Sequence, residues 1–235
     1  MIVLGIDTSG YVNAVGIVDG DRVLADASFP ARTDSLEQIV DNIDAVLKRV
    51  HLSLNDIGGI GVGLGPGSWT GIKVGVTVGK MLAFSADKPV VGIPTLQALA
   101  YAARRESAIV YAVINAGIRD TVYAARYHID GNEVIQQGDY FAGNIKDLAA
   151  LIKWPVLLAG SGIESYRQAI VSENDSLKTK LKTLEALPSG AAIACLATTR
   201  LTQGRKDEPL SLTPLYLKES TAKAFVNKYA ARGKK

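Results

Sequence analysis

Apolar positions in the first hundred residues switch between a two-residue period and a helical period, which predicts a mixed α/β unit. The order of elements is three strands and a helix, followed twice by a strand and a helix. The predicted strands are Ile2 to Ile6, Val12 to Val18, Arg22 to Phe29, Ile57 to Leu64 and Pro89 to Ile93. The predicted helices run from Asp34 to Val50, from the Gly-rich turn after Leu64 to about Ala86, and from Thr95 to about Arg105.

The second half of the chain repeats this order of elements without repeating the residues. Its predicted strands are Ala108 to Ala116, Thr121 to Ile129, Glu133 to Phe141, Val156 to Leu158 and Lys180 to Leu187, and its predicted helices are Ile145 to Lys153, Ile163 to Val171 and Ser189 to Thr202. Duplicated α/β units favour a ligand cleft between the halves. The predicted domains are residues 1–106 and 107–220, followed by a basic tail at 221–235.

The stretch from Gly61 to Ala86 is the most distinctive part of the chain. Its helix carries Gly71, Gly75 and Gly79 at intervals of four residues, which places them on one stripe. A glycine inside a helix costs about 1 kcal/mol relative to alanine, so the stripe predicts that another backbone approaches closely. That backbone belongs either to the first helix of the same unit or to a partner protein.

The first two helices of the first unit are candidates for a binding surface. The first carries a broad apolar stripe, and the second has apolar residues on more than one side. A helix that is apolar on several faces is either buried or in contact with a partner. Packing on the chain's own sheet explains why one face of each helix is apolar. Binding of a partner is an interpretation of the remaining apolar faces.

The turn at Gly65-Pro66-Gly67 leads into the second helix, for which either Ser68 or Thr70 is a natural N-cap. Backbone N–H groups at such a helix start can bind phosphate. Two specific phosphate motifs are excluded, because Gly79-Lys80 is followed by Met81 rather than Ser or Thr, and because a dinucleotide fingerprint needs a glycine in place of Ser68. A tight strand-to-helix turn without a ligand is the alternative.

Asp7, Thr8 and Ser9 follow the first strand, at a corner that faces the cleft in duplicated folds of this order. A carboxylate and two hydroxyls at this place can hold Mg²⁺ or hydrogen-bond a phosphate. Equally, Asp7 and Ser9 can satisfy their own backbone in a hairpin. Both interpretations stay open from the sequence.

Catalytic and metal-binding patterns are scarce. The two histidines, His51 and His128, show no HxxxH or HExxH spacing, and the single cysteine, Cys195, cannot form a thiolate metal site or a disulfide framework. No GxSxG elbow occurs, although a Ser-His-Asp arrangement need not be local in sequence. We therefore expect no metal site.

Composition places the chain among globular proteins, with 48% hydrophobic and 21% charged residues. No membrane span or signal peptide is visible, and one cysteine fits a reducing compartment, so we expect a cytoplasmic location. The net charge is +3, and removing the five Lys and Arg residues after position 220 leaves −2. The body therefore lacks the broad basic surface expected of a protein that binds nucleic acid alone.

Several stretches resemble the bacterial TsaB (YeaZ) family. GPGSWTGIKVGVTVGKMLA is similar to the family pattern GPGSFTGxRxGxxxxxGLA, and IVLGIDTS is similar to its opening strand. Further similarity lies in VVGIPTLQALA, YAVINAGIRDTVYAARY and LTPLYLKESTA, so the resemblance extends along most of the chain.

The resemblance implies two tandem RNase H-like (βββαβα) units of the actin, sugar kinase and Hsp70 (ASKHA) superfamily. It implies a non-catalytic subunit that binds and activates TsaD for threonylcarbamoyl transfer to the tRNA adenosine after the anticodon. TsaE would join the complex, and the chain alone would form a homodimer. Contact with tRNA would be indirect or through the basic tail, and no membrane would be involved. The chain would need no cofactor of its own, with ATP and Mg²⁺ acting at the level of the complex.

The resemblance also implies the site residues. The family-signature turn comprises Gly65, Pro66, Gly67, Ser68, Trp69, Thr70 and Gly71. The partner interface would comprise Leu36, Ile39, Val40, Ile43, Ile72, Gly75, Val76 and Gly79. Asp7, Thr8 and Ser9 would be the candidate nucleotide or phosphate contact.

The chain departs from the family pattern in two places. Asp34-Ser35 stands at the head of the first helix, where the family often has His-Ser or His-Thr. Asn115 and Gly117 replace an Asp and an Arg on the cleft side of the second unit. The second departure weakens the case for Mg-nucleotide in the cleft. An enzyme remains the alternative to a binding subunit: a nucleotide-dependent phosphotransferase using Asp7 and the cleft, or a glycoprotein endopeptidase.

Overall fold

The fold is a duplicated α/β arrangement, seen in a computed structural model that describes residues 1–31, 38–104, 108–152, 156–161, 163–173 and 181–217. The first unit contains β1 (Ile2–Asp7), β2 (Val12–Asp19), β3 (Arg22–Pro30), α1 (Ile39–Arg49), β4 (Gly59–Gly63), α2 (Trp69–Ser85), β5 (Val90–Ile93) and α3 (Thr95–Ala102). The second contains β6 (Ile109–Asn115), β7 (Thr121–Asp130), β8 (Glu133–Asn144), α4 (Ile145–Leu151), β9 (Val156–Gly160), α5 (Ile163–Glu173), β10 (Leu181–Glu185) and α6 (Gly190–Thr202).

The predicted order of strands and helices is confirmed in both units. Strand β8 is longer than predicted, because its last residues continue to pair with β7 as far as Asn144 opposite Thr121. The predicted first turn of the first helix, including Asp34 and Leu36, lies outside the described residues, as do the predicted domain boundary at 106 and the tail at 221–235.

Two mixed five-stranded sheets form the framework of the two units. The strand order is β3-β2-β1-β4-β5 in the first sheet and β10-β9-β6-β7-β8 in the second. In each, the first three strands of the unit are antiparallel neighbours and the later strands run parallel to the first. The carboxyl ends of the parallel strands therefore gather at one edge of each sheet.

Helices α1 and α2 cover one face of the first sheet, while α4 and α5 cover one face of the second. Helices α3 and α6 lie between the two sheets in a shared apolar core. Helix α6 packs on β1, β2 and β4 of the first unit, and α3 packs on β6 and β7 of the second. Each unit thus contributes a helix to the other's sheet.

Helix α6 packs directly against a row of glycines in the first sheet. Gly5 pairs with Gly16 on β2 and with Gly61 on β4, so the three lie side by side. A Cβ on Gly5 would overlap the backbone of α6 at Gly190, and a Cβ on Gly16 would overlap its backbone at Ala191. The row exists because only hydrogen at these positions lets α6 lie directly on the strands.

Among the described residues, no helix is long and apolar enough to cross a membrane.

We predict that Gly16→Ala destabilises the protein strongly, because the added methyl group overlaps the Ala191 backbone. Overpacking of this kind is expected to lower the free energy of unfolding by about 3 kcal/mol or more. Gly138→Ala is the control, since a Cβ there meets no atom within 4 Å and only the φ of +80° is unfavourable. That strain costs about 1–2 kcal/mol. Urea denaturation of both variants measures the difference, and equal losses would contradict the role given to the glycine row.

Candidate functional site

A cleft of about 820 Å³ lies between the two units, as the duplicated pattern predicts. Its walls come from the chain segments that follow the parallel strands of both sheets. They include Ser9 after β1, Ser68 after β4, Thr95 after β5, Asn115 at the end of β6 and Ser161 after β9. Ligands in open α/β sheets bind outside the carboxyl ends of the strands, so this cleft is the candidate site for a small molecule.

Asp7 lies fully buried behind the cleft wall, and its carboxylate is bound by the chain itself. Oδ1 accepts hydrogen bonds from the Ser9 backbone N–H at 2.8 Å and from Ser9 Oγ at 2.6 Å. Oδ2 accepts from Thr95 Oγ1 at 2.7 Å. Burial raises the pKa of the Asp7 carboxyl, against the lowering effect of the hydrogen bonds from Ser9 and Thr95. A cation at Asp7 would have to displace these donors.

The Asp7-Thr8-Ser9 corner is therefore mainly a structural element. Thr8 Oγ1 donates to the carbonyl oxygen of Gly71 at 2.6 Å in a buried contact with α2. Of the three residues, only Ser9 lines the cleft, so the predicted nucleotide or phosphate contact narrows to Ser9. Within the described parts of the chain, no group of three or more His, Cys, Asp or Glu residues is arranged to hold a metal ion.

The Gly-rich turn before α2 uses its backbone groups within the chain. The Ser68 N–H donates to the carbonyl oxygen of Ser9 at 2.7 Å, and Ser68 Oγ caps the helix by accepting from the Gly71 N–H at 3.2 Å. A Cβ on Gly67 would overlap the Ser9 carbonyl group. The turn therefore presses against the β1–β2 corner, and the geometry favours a tight strand-to-helix connection over a phosphate loop.

The glycine stripe of α2 faces the first sheet, so its interpretation as a docking face is wrong. A Cβ on Gly71 would overlap the Thr8 carbonyl oxygen, one on Gly75 would overlap Thr8 Oγ1, and one on Gly79 would overlap Val62. The chain's own first sheet therefore covers the stripe, through the Thr8 backbone at Gly71 and through side chains at Gly75 and Gly79, and neither α1 nor a partner is in contact with it. A bulky residue at Gly75 would disturb the core rather than a surface.

Most of the predicted interface residues lie in the core of the first unit. Their side chains are 3% exposed or less and pack beneath α1 and α2 against the sheet: Ile39, Ile43, Ile72 and Val76. Gly75 and Gly79 are also buried, and Leu36 lies outside the described residues. Only Val40, 52% exposed, is at the described surface. An apolar stripe predicts burial but does not tell whether the chain's own sheet or a partner supplies it.

The sequence prediction missed the residues that α2 does present to solvent. Met81 is 60% exposed and Phe84 is 67% exposed, and Val74 and Val78 are half-buried beside them. Positions 74, 78 and 81 follow helical spacing on a side of α2 away from the glycines. In the sequence, this second apolar side of α2 was the signal that could have identified the exposed residues.

The C-terminal segment crosses the other flank of α2. Tyr216 stacks on Trp69 with ring centroids 4.1 Å apart, and Lys73 Nζ lies 4.5 Å from the centre of the Trp69 ring. Further along the helix, Lys80 Nζ donates to the carbonyl oxygens of Leu210 and Leu212. These long-range contacts have no local signal in the sequence.

Comparison with known proteins identifies the family. A family model described as "TsaD: tRNA N6-adenosine threonylcarbamoyltransferase" matches residues 30–225. The chain belongs to the TsaD family, and within it to the TsaB (YeaZ) proteins. It is 27% identical to the tRNA threonylcarbamoyladenosine biosynthesis protein TsaB of Bacillus subtilis, with 77% of this chain and 78% of that protein covered. It is 26% identical to TsaB of Haemophilus influenzae, with 93% and 94% covered.

The match to a transferase is shorter. A tRNA N6-adenosine threonylcarbamoyltransferase of Tropheryma whipplei is 36% identical over 107 residues, which cover 39% of this chain and 27% of the transferase. The chain therefore matches the TsaB relatives over most of their length and the transferase over only a part of it. The predicted resemblance to the TsaB family is confirmed.

Solved structures support the fold. YeaZ from Pseudomonas aeruginosa superposes with a TM-score of 0.75 at 23% identity, covering 92% of this chain and 99% of that one. A ROK hexokinase from Thermus thermophilus superposes with a TM-score of 0.52 at 14% identity, covering 87% and 100%. The predicted ASKHA fold is confirmed by these neighbours and by the two sheets.

We predict that Asp7→Asn removes a pH dependence of stability. The folded-state pKa of Asp7 lies above its ordinary value of 3.8, so its contribution is complete below about pH 3.8 and is lost as the pH rises through the folded-state pKa. The free energy of unfolding of the wild type, relative to Asp7→Asn, should therefore fall as the pH rises from 4 towards 7. Denaturant titrations at several pH values measure this gap.

The exposed change Asp139→Asn serves as the control for a general effect of the Asp-to-Asn exchange. A gap between wild type and Asp7→Asn that stays constant, or grows in favour of the wild type with rising pH, would contradict the prediction.

Proposed function

We propose that this chain takes part in the biosynthesis of threonylcarbamoyladenosine in tRNA as a non-catalytic subunit that binds and activates TsaD. TsaD would transfer the threonylcarbamoyl group to the adenosine that follows the anticodon. The relatives named TsaB, which the chain matches over most of its length, support the pathway. The exposure of Met81 and Phe84 on α2 is the observation that carries the binding role.

The proposed docking surface consists of Val74, Val78, Met81 and Phe84 on α2. Exposed Met and Phe side chains close together on one helix bury large apolar areas when a partner covers them. Apolar burial stabilises a complex by about 25 cal/mol per Å² before the costs of association are subtracted. The glycine contacts of α2 hold the surface rigidly on the sheet, which reduces the entropy lost on docking.

The closed Asp7 corner supports a subunit that leaves the chemistry to its partner. Both carboxylate oxygens accept hydrogen bonds from Ser9 and Thr95, so this corner offers no free carboxylate to a metal or a nucleophile. ATP and Mg²⁺ would act at the level of the complex, which TsaE joins. Contact with tRNA would be indirect, or would use the basic tail at 221–235.

In the absence of TsaD, we propose that a second copy of the chain covers the same surface of α2. The same residues then serve the homodimer and the heterodimer, so the two assemblies exclude each other. Addition of TsaD should convert the homodimer into a heterodimer during size-exclusion chromatography.

We predict that the double variant Met81→Glu, Phe84→Glu loses binding to TsaD. Both side chains are exposed in the isolated chain, so the variant should fold normally, while two carboxylates on an apolar interface cannot be buried without a large penalty. Affinity for TsaD should fall at least about tenfold, which corresponds to 1.4 kcal/mol. Titration calorimetry with purified TsaD measures it.

Ile135→Glu is the matched control, because Ile135 is a similarly exposed apolar residue on β8 in the second unit. It should leave the affinity unchanged. The proposed surface would be wrong if the α2 variant bound TsaD as tightly as the wild type, or if both variants lost affinity equally.

A further inference from the structure

Two large apolar side chains of α2 are uncovered in the described structure. Met81 is 60% exposed and Phe84 is 67% exposed. The cations on the adjoining flank are already in contact with the chain, Lys73 with Trp69 and Lys80 with the carbonyl oxygens of the C-terminal segment. Removing apolar area from water is favourable, so a segment of the free chain that reaches this surface gains by covering it.

The C-terminal segment ends beside the first turn of α2. Tyr216 stacks on Trp69, the first residue of the helix, and the Leu215 N–H donates to the Leu64 carbonyl oxygen at 2.8 Å. Leu217 is the last described residue. The residues that follow it therefore start next to α2, at the end of the helix that is opposite to Met81 and Phe84.

The basic tail at 221–235 has the residue spacing of an amphipathic helix. Its apolar residues recur at intervals of three and four, and its cationic residues fall between them. The apolar positions are Ala222, Phe225, Val226, Tyr229 and Ala230, and the cationic positions among and just after them are Lys223, Lys228 and Arg232. Thr221 before this run and Gly233 after it are typical of a helix start and a helix end. The sequence therefore predicts a helix with one apolar side and one cationic side.

The tail is long enough to lie along α2. Ala222 comes five residues after Leu217, and five extended residues span up to roughly 17 Å. Val74 lies about 7.5 Å along α2 from its first residue, and packed helices are roughly 8–10 Å apart, so Ala222 can reach a position beside Val74. A helix that starts there and runs in the direction of α2 brings Tyr229 level with Met81, because the two members of each pair are seven residues apart.

The same direction suits the charges. The carbonyl groups at the C-terminal end of α2 carry a partial negative charge, and the exposed Asp87 follows this end. Lys228 and Arg232 belong to the second half of the tail, which comes closest to the C-terminal end of α2 in this direction. The opposite direction would place them near Lys73.

We propose that the basic tail docks on α2 of the same chain and covers Met81 and Phe84 while the chain is free. The apolar side of the tail, with Phe225 and Tyr229, faces α2, and its cationic side faces solvent. A short connection holds the tail near α2 at an effective concentration of roughly 1 mM. A contact with a Kd of about 0.1 mM between separate peptides therefore covers the surface in about nine chains out of ten.

The tail contact itself does not depend on TsaD, but its consequence rests on the proposed function. A protein that uses the same surface, whether TsaD or a second copy of the chain, binds only to chains whose tail has left α2. With about one chain in ten available, the apparent affinity is about tenfold weaker than the affinity for the uncovered surface. The tail thus regulates access to α2.

Trypsin digestion of the full chain in the absence of TsaD tests the contact. Cleavage after Lys228 measures the fraction of chains with an undocked tail, provided that docking is fast relative to cleavage. We expect cleavage about tenfold faster in Met81→Glu, Phe84→Glu, which removes the apolar surface, and in Phe225→Ser, Tyr229→Ser, which removes the apolar side of the tail. The rates should not depend on the chain concentration, because the contact lies within one chain.

Two matched controls accompany these variants. Ile135→Glu changes an exposed apolar residue on β8, and Asn227→Ser changes the polar side of the tail. Both should be cleaved at the rate of the wild type. Thermal unfolding establishes that each variant is folded, and the tail pair remains the test if the α2 pair does not fold.

Titration calorimetry with TsaD measures the consequence for binding. Phe225→Ser, Tyr229→Ser should bind TsaD about tenfold more tightly than the wild type, whereas Asn227→Ser should bind with unchanged affinity. If both pairs of substitutions accelerate cleavage while the affinity for TsaD stays the same, the tail contact stands and the docking of TsaD on α2 is wrong.

Four results would overturn the tail contact. They are cleavage of both pairs at the rate of the wild type, equally accelerated cleavage of the controls, weaker binding of TsaD by the tail pair, and protection that increases with chain concentration. The last result would assign the covering of α2 to a second copy of the chain.

Discussion

Helix α6 lies directly on the strands of the first sheet, and the arrangement of the two units depends on this contact. Gly5, Gly16 and Gly61 form a row across three strands, and Gly190 at the start of α6 meets the Gly16 backbone. Asp26 on β3 strengthens the contact, since its carboxylate accepts from Ser189 Oγ at 2.8 Å and from the Ala191 N–H at 3.1 Å at the start of the helix. The two halves are thereby joined backbone to backbone.

Glycines also allow close packing on the opposite face of the first sheet. Helix α2 approaches β1 and β4 through Gly71, Gly75 and Gly79, so a helix comes close to the sheet at glycines on each of its two faces. The corner after β1 is enclosed as a result, with Thr8 bound to α2 and Asp7 bound to Ser9 and Thr95. A corner of this kind positions neighbouring groups but leaves no open carboxylate, which fits a subunit that acts through a partner.

The local signals in the sequence predicted the elements well, and the predicted cap of α2 illustrates why. Ser68 accepts a hydrogen bond from the Gly71 N–H in the first turn of the helix, and such a cap depends only on residues within four positions. The cleft was predictable from the duplication, and the cleft position of Asn115 from the family pattern. The packing partners were not predictable, since the contact of Gly5 with Gly190 joins residues that are distant in the chain. The glycine stripe of α2 indicated a close approach, but its partner, Thr8, could be identified only in the folded structure.

Helix α2 connects the cleft with the proposed docking surface. Its first residue, Trp69, lines the cleft, and Met81 lies three turns later on the docking surface. Three glycine contacts hold the helix on the sheet, and Lys80 holds it to the C-terminal segment, so bending it would break several contacts together. A ligand shifts an equilibrium only by its differential affinity for two states, and a helix held in this way has one arrangement in the described structure. We therefore expect occupation of the cleft and docking on α2 to be energetically independent, with rigidity rather than coupling as the contribution of α2 to both.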